Sequence, residues 1–360
     1  MIVHQQIQRT MNSRGCGSSA PLRSGGPALS AALVVFLFVS TVHAQLVPNL
    51  GGQRVGISAF QFLKIGAGAR GVAMGEAFVA VANDASALYW NPAGLSEVPE
   101  NQALVAHTEY VADIKHDYVG AMYHMTDNDA LGISLTSLHM KDMEITTETQ
   151  PLGTGRYFSF GDLGIGISYA RKMTDQFSFG VTVRYVEETL DVLKMRSVMV
   201  DLGTYYWTGL GTSRFAVVIS NFGADVAPEG TATHVDGTAP SSFQSFALPT
   251  LFKLGLAMDP ILTDDQRLTA SVQLNHPNDN GENVRIGVEY AWQNTFFLRG
   301  GLKRTIGQQL LDADETSDES FTLGAGVRIV TGLTTVGADY AFANFSLLGS
   351  VHRISVTLTY

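Results

Sequence analysis

The stretch Asn283-Val284-Arg285-Ile286-Gly287-Val288-Glu289-Tyr290 alternates without a break. Val284, Ile286, Val288 and Tyr290 share one face of an extended chain, and Asn283, Arg285, Gly287 and Glu289 share the other. Successive side chains of a strand point to opposite faces, so a period of two marks a strand with one apolar and one polar side. The pattern recurs in both directions from here. Leu163, Ile165, Ile167 and Tyr169 alternate with Gly164, Gly166 and Ser168. Phe179, Val181, Val183 and Tyr185 face away from Gly180, Thr182 and Arg184, and Leu268, Ala270, Val272 and Leu274 from Thr269, Ser271 and Gln273.

About fourteen such segments fill residues 101–360, each near the length of a membrane-crossing strand. They fall near 101–110, 116–126, 129–140, 156–171, 176–187, 196–207, 214–222, 251–258, 267–275, 283–291, 295–303, 320–329, 333–341 and 350–360. Short connections at 126–129, 171–176, 208–213, 292–294 and 330–332 alternate with longer polar ones at 141–155, 188–195, 223–250, 276–282 and 304–319. A barrel with short periplasmic turns and longer external loops predicts that alternation. A soluble sandwich also has two-faced strands, but its apolar faces meet each other and its loops need not alternate. The expectation is an all-β fold, an antiparallel transmembrane β-barrel of about 14 strands preceded by an N-terminal plug segment.

Composition agrees. Of 360 residues 45% are hydrophobic and only 16% charged, and 37 glycines, 12 tyrosines and 19 phenylalanines suit strands better than helices. A formal net charge of −10 argues against nucleic acid as a partner, since that needs a basic face. The last strand carries Ile354, Val356, Leu358 and Tyr360 on one face, and its aromatic end resembles the signal read by the outer-membrane assembly machinery.

Near the start, Arg9, Arg14 and Arg23 precede an apolar run from Ala28 to Val39, followed by Val42-His43-Ala44. This reads as a secretory signal over 1–44, cleaved after Ala44, with either Met1 or Met11 as the initiator. Cys16 precedes the apolar run, so a mature chain beginning at Gln45 holds no thiol for disulfides, zinc or cysteine catalysis.

Residues 45–100 do not alternate. Gly66, Gly68 and Gly71 satisfy G-x-G-x-x-G, but Asp84 comes early and Glu97 late for a dinucleotide site, and no β-α-β units follow. Small residues that let the segment pack in a narrow space are the better account. Asp84 is placed to cap a short helix from Ala85 to Tyr89, which Asn91-Pro92 stops. Such a unit ahead of a barrel fits a luminal plug, with a periplasmic lead-in as the alternative.

The segment also carries a resemblance. Phe62-Leu63-Lys64-Ile65-Gly66-Ala67-Gly68-Ala69-Arg70, Met74-Gly75 and Ala82-Asn83-Asp84-Ala85-Ser86-Ala87-Leu88-Tyr89-Trp90-Asn91-Pro92-Ala93-Gly94-Leu95 resemble the N-terminal signature of the PorV/PorQ family. That family is related to the FadL-type transporters, which share an N-P-A element in the plug and a fourteen-stranded barrel. The resemblance implies an outer-membrane component of type IX secretion in a Gram-negative cell. Its partners would be the other secretion components and cargo proteins bearing a C-terminal signal domain, with outer-membrane lipid around it. The FadL branch implies instead a channel for hydrophobic ligands, with an apolar path beside the plug and a kinked or unpaired strand.

Little points to chemistry. His107, His116, His124, His139, His234, His276 and His352 form no i, i+2 ligand pair, and no G-x-S-x-G elbow occurs, so neither an enzyme nor a metal or other cofactor is expected. The acidic run Asp312-Ala313-Asp314-Glu315 with Asp318-Glu319 reads as a solvated loop, with binding of calcium or lipopolysaccharide-bridging cations as the alternative, and Asp127-Asn128-Asp129 reads as a turn. The loop 223–250 holds Pro228, Pro240 and Pro249, with Phe243 and Phe246 near its end. Those phenylalanines are either anchors for a partner or tucked into the barrel mouth.

Overall fold

The computed structural model describes residues 57–231, 243–306 and 321–360. The signal segment, His234, Pro240 and the acidic runs at 312–315 and 318–319 lie outside them. Fourteen strands close into one antiparallel barrel. In chain order they are β1 (Gln102–Glu109), β2 (Lys115–His124), β3 (Asp129–His139), β6 (Phe160–Lys172), β7 (Phe177–Leu190), β8 (Leu193–Trp207), β9 (Arg214–Phe222), β10 (Leu251–Leu262), β11 (Gln266–Pro277), β12 (Asn283–Trp292), β13 (Phe296–Thr305), β14 (Phe321–Thr331), β15 (Thr334–Asn344) and β16 (Ser350–Thr359). A two-residue pair, β4 (Met143–Glu144) with β5 (Tyr157–Phe158), decorates the loop between β3 and β6. The ring closes where β1 pairs with β16, Gln102 opposite Thr359.

Burial inverts the usual globular arrangement. Ile167, Leu298 and Ile354 are 63%, 63% and 58% exposed, while Ser168, Glu289 and Arg353 are 0%, 1% and 2% exposed. Apolar residues therefore form the outer face of the wall and polar residues the inner face. A face of that kind is stable only in contact with lipid, and a closed barrel leaves no sheet edge unsatisfied there. No described helix is long and apolar enough to cross a membrane.

Short turns gather at one end, at 125–128, 173–176, 208–213, 263–265, 293–295 and 332–333. The other end carries most of the longer connections, including 140–159 and 223–250. Two expectations change. The connection read as a loop over 188–195 is a two-residue turn, because β7 and β8 stay paired as far as Leu190 and Leu193. The strand placed at 156–171 begins at Phe160, with Tyr157 and Phe158 diverted into the small pair. Ladder hydrogen bonds come from the backbone, so polar residues such as Glu187, Glu188 and Thr189 continue a strand beyond its apolar stretch.

Candidate functional site

Residues 57–98 lie against the inner faces of the strands, running from the long-loop end to the short-turn end. Ser58 forms a bridge with Ala247 at one end, and Glu97 accepts bonds from Ser178 Oγ and Trp207 Nε1, both 2.9 Å, at the other. The segment holds only short helices, a 3₁₀ turn at Gln61–Lys64, α1 at Ala69–Ala73, α2 at Ala87–Trp90 and a 3₁₀ stretch at Pro92–Glu97. Most of its backbone groups have no helical partner, and buried backbone must be satisfied somehow. Turns within the segment supply some of those partners, and the wall supplies others. Gln273 Oε1 accepts from the amides of Phe78 and Val79, both 3.0 Å, Thr322 Oγ1 from Gly75 N (2.9 Å), and Ser355 Oγ from Ala69 N (3.1 Å). Arg214 Nε donates to Ala80 O at 3.0 Å, and Ser271 Oγ to Ala77 O at 2.6 Å.

Close approach needs strand glycines. A Cβ on Gly301 would stand 2.0 Å from Gly75 N, one on Gly180 2.3 Å from Pro92 C and Ala93 N, and one on Gly203 2.2 Å from Asn91 Oδ1. The inner glycines that looked like part of a polar face are thus the sockets of the inner segment. Met74 is fully buried beside them, and a Cβ on Gly287 would meet its carbonyl oxygen at 2.4 Å.

The motif residues fall into two groups. The first surrounds Trp90, whose Nε1 donates to Ala67 O at 2.9 Å. A Cβ on Gly66 or Gly71 would press within 2.8 Å or 2.6 Å of its ring, and Phe78 and Tyr89 meet it edge-on. Gly68 takes a positive φ of 77° at the entry to α1. Asn91 follows in extended conformation, its Nδ2 donating to Val79 O (2.9 Å) and Thr204 O (3.1 Å) while its Oδ1 accepts from Ala93 N (3.1 Å). Pro92 then starts the next turn, where its missing N–H costs nothing.

The second group is an ion network. Arg70 reaches Glu289 on β12 through Nε–Oε2 at 2.8 Å and Nη2–Oε1 at 2.9 Å, and its Nη1 donates to Asn83 Oδ1 and Asp84 Oδ2, both 2.7 Å. Glu289 also accepts from Arg299 Nε at 2.7 Å, and Arg299 Nη1 donates to Asp339 at 2.6 Å. Asp84 Oδ1 accepts from Ser86 N at 2.9 Å in the turn ahead of α2, but it is not the helix cap expected of it, since α2 begins at Ala87 with Ser86 at its N-cap and no side-chain cap. Buried, bidentate pairs of this kind fix one geometry. The sequence marked Arg70, Asn83 and Asp84, but not Glu289, Arg299 or Asp339. Their only sequence signal was a charge on the polar face of a strand.

Phe243 and Phe246 are half-buried. Phe246 exchanges backbone hydrogen bonds with Val226 and packs against the buried cluster that holds Phe60, Phe62 and Leu248 rather than standing free. Between Val200 and Leu202 the ladder of β8 with β9 shifts register, and the loop after β9 meets β8 again through the bridge of Lys194 with Glu229. At the long-loop end lies a cavity of about 490 Å³ walled by Phe60, Phe62, Ile114, Leu138, Phe160 and Phe345. Among the described residues no group of three or more His, Cys, Asp or Glu side chains is placed to hold a metal.

This geometry, a closed barrel with a lipid-compatible exterior, defines an outer-membrane β-barrel protein. Residues 49–277 match the family of the type IX secretion system protein PorV, and the chain belongs to that family. No curated protein matches it. Similar solved structures include the CymD monoaromatic hydrocarbon channel, at 13% identity and TM-score 0.55 over 82% of this chain and 96% of that one. A Pseudomonas aeruginosa FadL homologue matches at 14% identity and TM-score 0.52, over 81% and 97%. The Ralstonia pickettii toluene transporter TbuX matches at 12% and 0.54, over 82% and 97%. At such identities the likeness is one of fold.

Proposed function

We propose that this protein is a non-catalytic outer-membrane barrel of the type IX secretion system that binds exported cargo bearing a C-terminal signal domain and hands it on to other components. In this reading residues 57–98 are a plug, the short-turn end faces the periplasm, and the long loops, with Phe243 and Phe246 at the root of one, face the exterior. The family match over 49–277 carries the reading, since it spans both the inner segment and the loop 223–250. The filled interior supports it. With Arg70, Asn91 and Gly301 holding a segment across the bore, a folded cargo has no route through the barrel and must be met at its surface. The test is copurification from detergent-solubilised outer membranes, with mass spectrometry of what stays bound. Secreted proteins sharing a C-terminal domain are the expected result.

A second reading, a channel for hydrophobic small molecules, is favoured by one observation, the aromatic-walled cavity beside the inner segment. Apolar ligands recovered without any such cargo would replace the first reading with this one.

A further inference from the structure

The cavity at the long-loop end has one wall that its neighbours leave unfinished. Asp162 on β6 and Glu188 on β7 stand directly opposite each other in the strand register, and both line the cavity. Like charges at facing positions repel, and buried carboxylates are normally paired. Among the described residues, Glu188 Oε2 accepts only from Phe60 N, at 2.9 Å. Asp162 is 5% exposed, enters no ion pair among the described residues, and its Oδ1 has no hydrogen-bond partner. An orphaned polar atom at such depth needs a reason.

The other charged groups around the cavity do not supply one. Lys64 is engaged by Asp279, and Glu76 by Arg285, while Arg353 Nε donates to Thr108 at 3.0 Å; Lys303 also lines the cavity but forms no ion pair with Asp162 or Glu188. Among the described residues the acidic pair thus has no ion-paired cation and looks across an aromatic space of about 490 Å³.

We propose that this cavity binds an amphipathic cation, an ammonium or guanidinium group on an apolar stem. The positive group sits between Asp162 and Glu188, and the stem lies against Phe60, Phe62, Phe160 and Phe345. Drug-sized sites have such volumes and are lined in this way, apolar with a few placed polar groups. Aromatic rings add attraction for a cation that has left water. The assignment is separate from the cargo reading, since copurification can fail while binding succeeds, and the reverse.

The test uses the full chain in an uncharged detergent, with 4-phenylbutylamine as probe and 4-phenylbutyrate as its anionic counterpart, each titrated calorimetrically against empty micelles as the baseline. Saturable binding of the amine, about tenfold or more tighter than the carboxylate, is expected from one lost charge-assisted contact. Asp162→Asn and Glu188→Gln should each weaken the amine by a similar factor and leave the carboxylate no weaker. Asp162→Asn should also raise the thermal midpoint of the empty protein, because it relieves a repulsion, which shows that the variant folds. Amine binding that is absent, no tighter than that of the carboxylate, or unchanged in a folded Asp162→Asn protein overturns the proposal.

Discussion

Arg70 and Glu289 are joined by two parallel hydrogen bonds, of 2.8 and 2.9 Å, which tie the helix α1 of the inner segment to strand β12. Both side chains are buried, and Glu289 holds Arg299 as well. Removing one partner of a buried pair strands the other charge and costs about 3–5 kcal/mol. Glu289→Ala is therefore expected to lower the heat-unfolding midpoint sharply, read as the gel-mobility shift of the barrel. Arg70→Met with Glu289→Leu should cost clearly less than the two single changes added together. Additive losses would show that the pair is not a unit.

Adjacent glycines on β13 give a sharper contrast. A Cβ on Gly301 would meet backbone atoms of Met74 and Gly75 within 2.4 Å, whereas on Gly300 its nearest neighbour is Leu323 Cδ2 at 3.7 Å. Gly301→Ala should destabilise by about 1–3 kcal/mol or more through overpacking. Gly300→Ala should stay within about 0.5 kcal/mol of the native protein, as surface changes do. Denaturant midpoints of the two variants decide it, and equal effects would place the inner segment elsewhere.

Asn91 serves two carbonyls and one amide at once. Asn91→Ala orphans these groups and should cost about 1–3 kcal/mol. The loss should appear as faster hydrogen exchange in 77–98, with the strands of the wall little changed.

Acid should release the outer end of the inner segment before it touches the barrel. Burial works to raise the Asp279 carboxyl, but bonds from Lys64 and Gln61 outweigh it and hold the group below its usual range. A depressed carboxyl contributes stability that is fully present above its unfolded value, about 3.9, and is lost as pH falls through the lower folded value. A spin label at Ile57→Cys should therefore be immobilised at neutral pH and become mobile only below about pH 4. Adding Asp279→Asn should make it mobile throughout, and a label immobile in that variant would count against the tether.

The lipid-facing reading has its own test. Ile167 lies near the middle of β6 and is 63% exposed. Ile167→Arg should cost about 2–4 kcal/mol of folding free energy in a bilayer, the penalty for a charge at mid-membrane depth. No penalty would mean that this face meets water.

The strands were legible because the membrane makes one face uniformly apolar, so the run from Asn283 to Tyr290 announces itself. Their tips were not, because outside the apolar band nothing constrains composition, and β7 runs on through Glu187, Glu188 and Thr189. The inner segment was visible as a break in periodicity and through a family signature, but its partners were hidden. Arg70 is 219 positions from Glu289, and the two share no local pattern. Asp162 and Glu188 were hidden for the same reason, since only the register of two strands brings them opposite each other.

The pairing of β1 with β16 sets an order of events. The stretch that packs against the inner faces of the strands precedes every strand of the wall in the chain, and the ring cannot shut until its final strand exists. Contents thus come before container. A chain that closed around an empty bore would have to thread residues 57–98 in afterwards through one end, past contacts that leave no room for even a methyl group at Gly301. Assembly therefore has to gather the wall around its filling, and a change that slows the filling should trap open, half-zipped barrels rather than hollow ones.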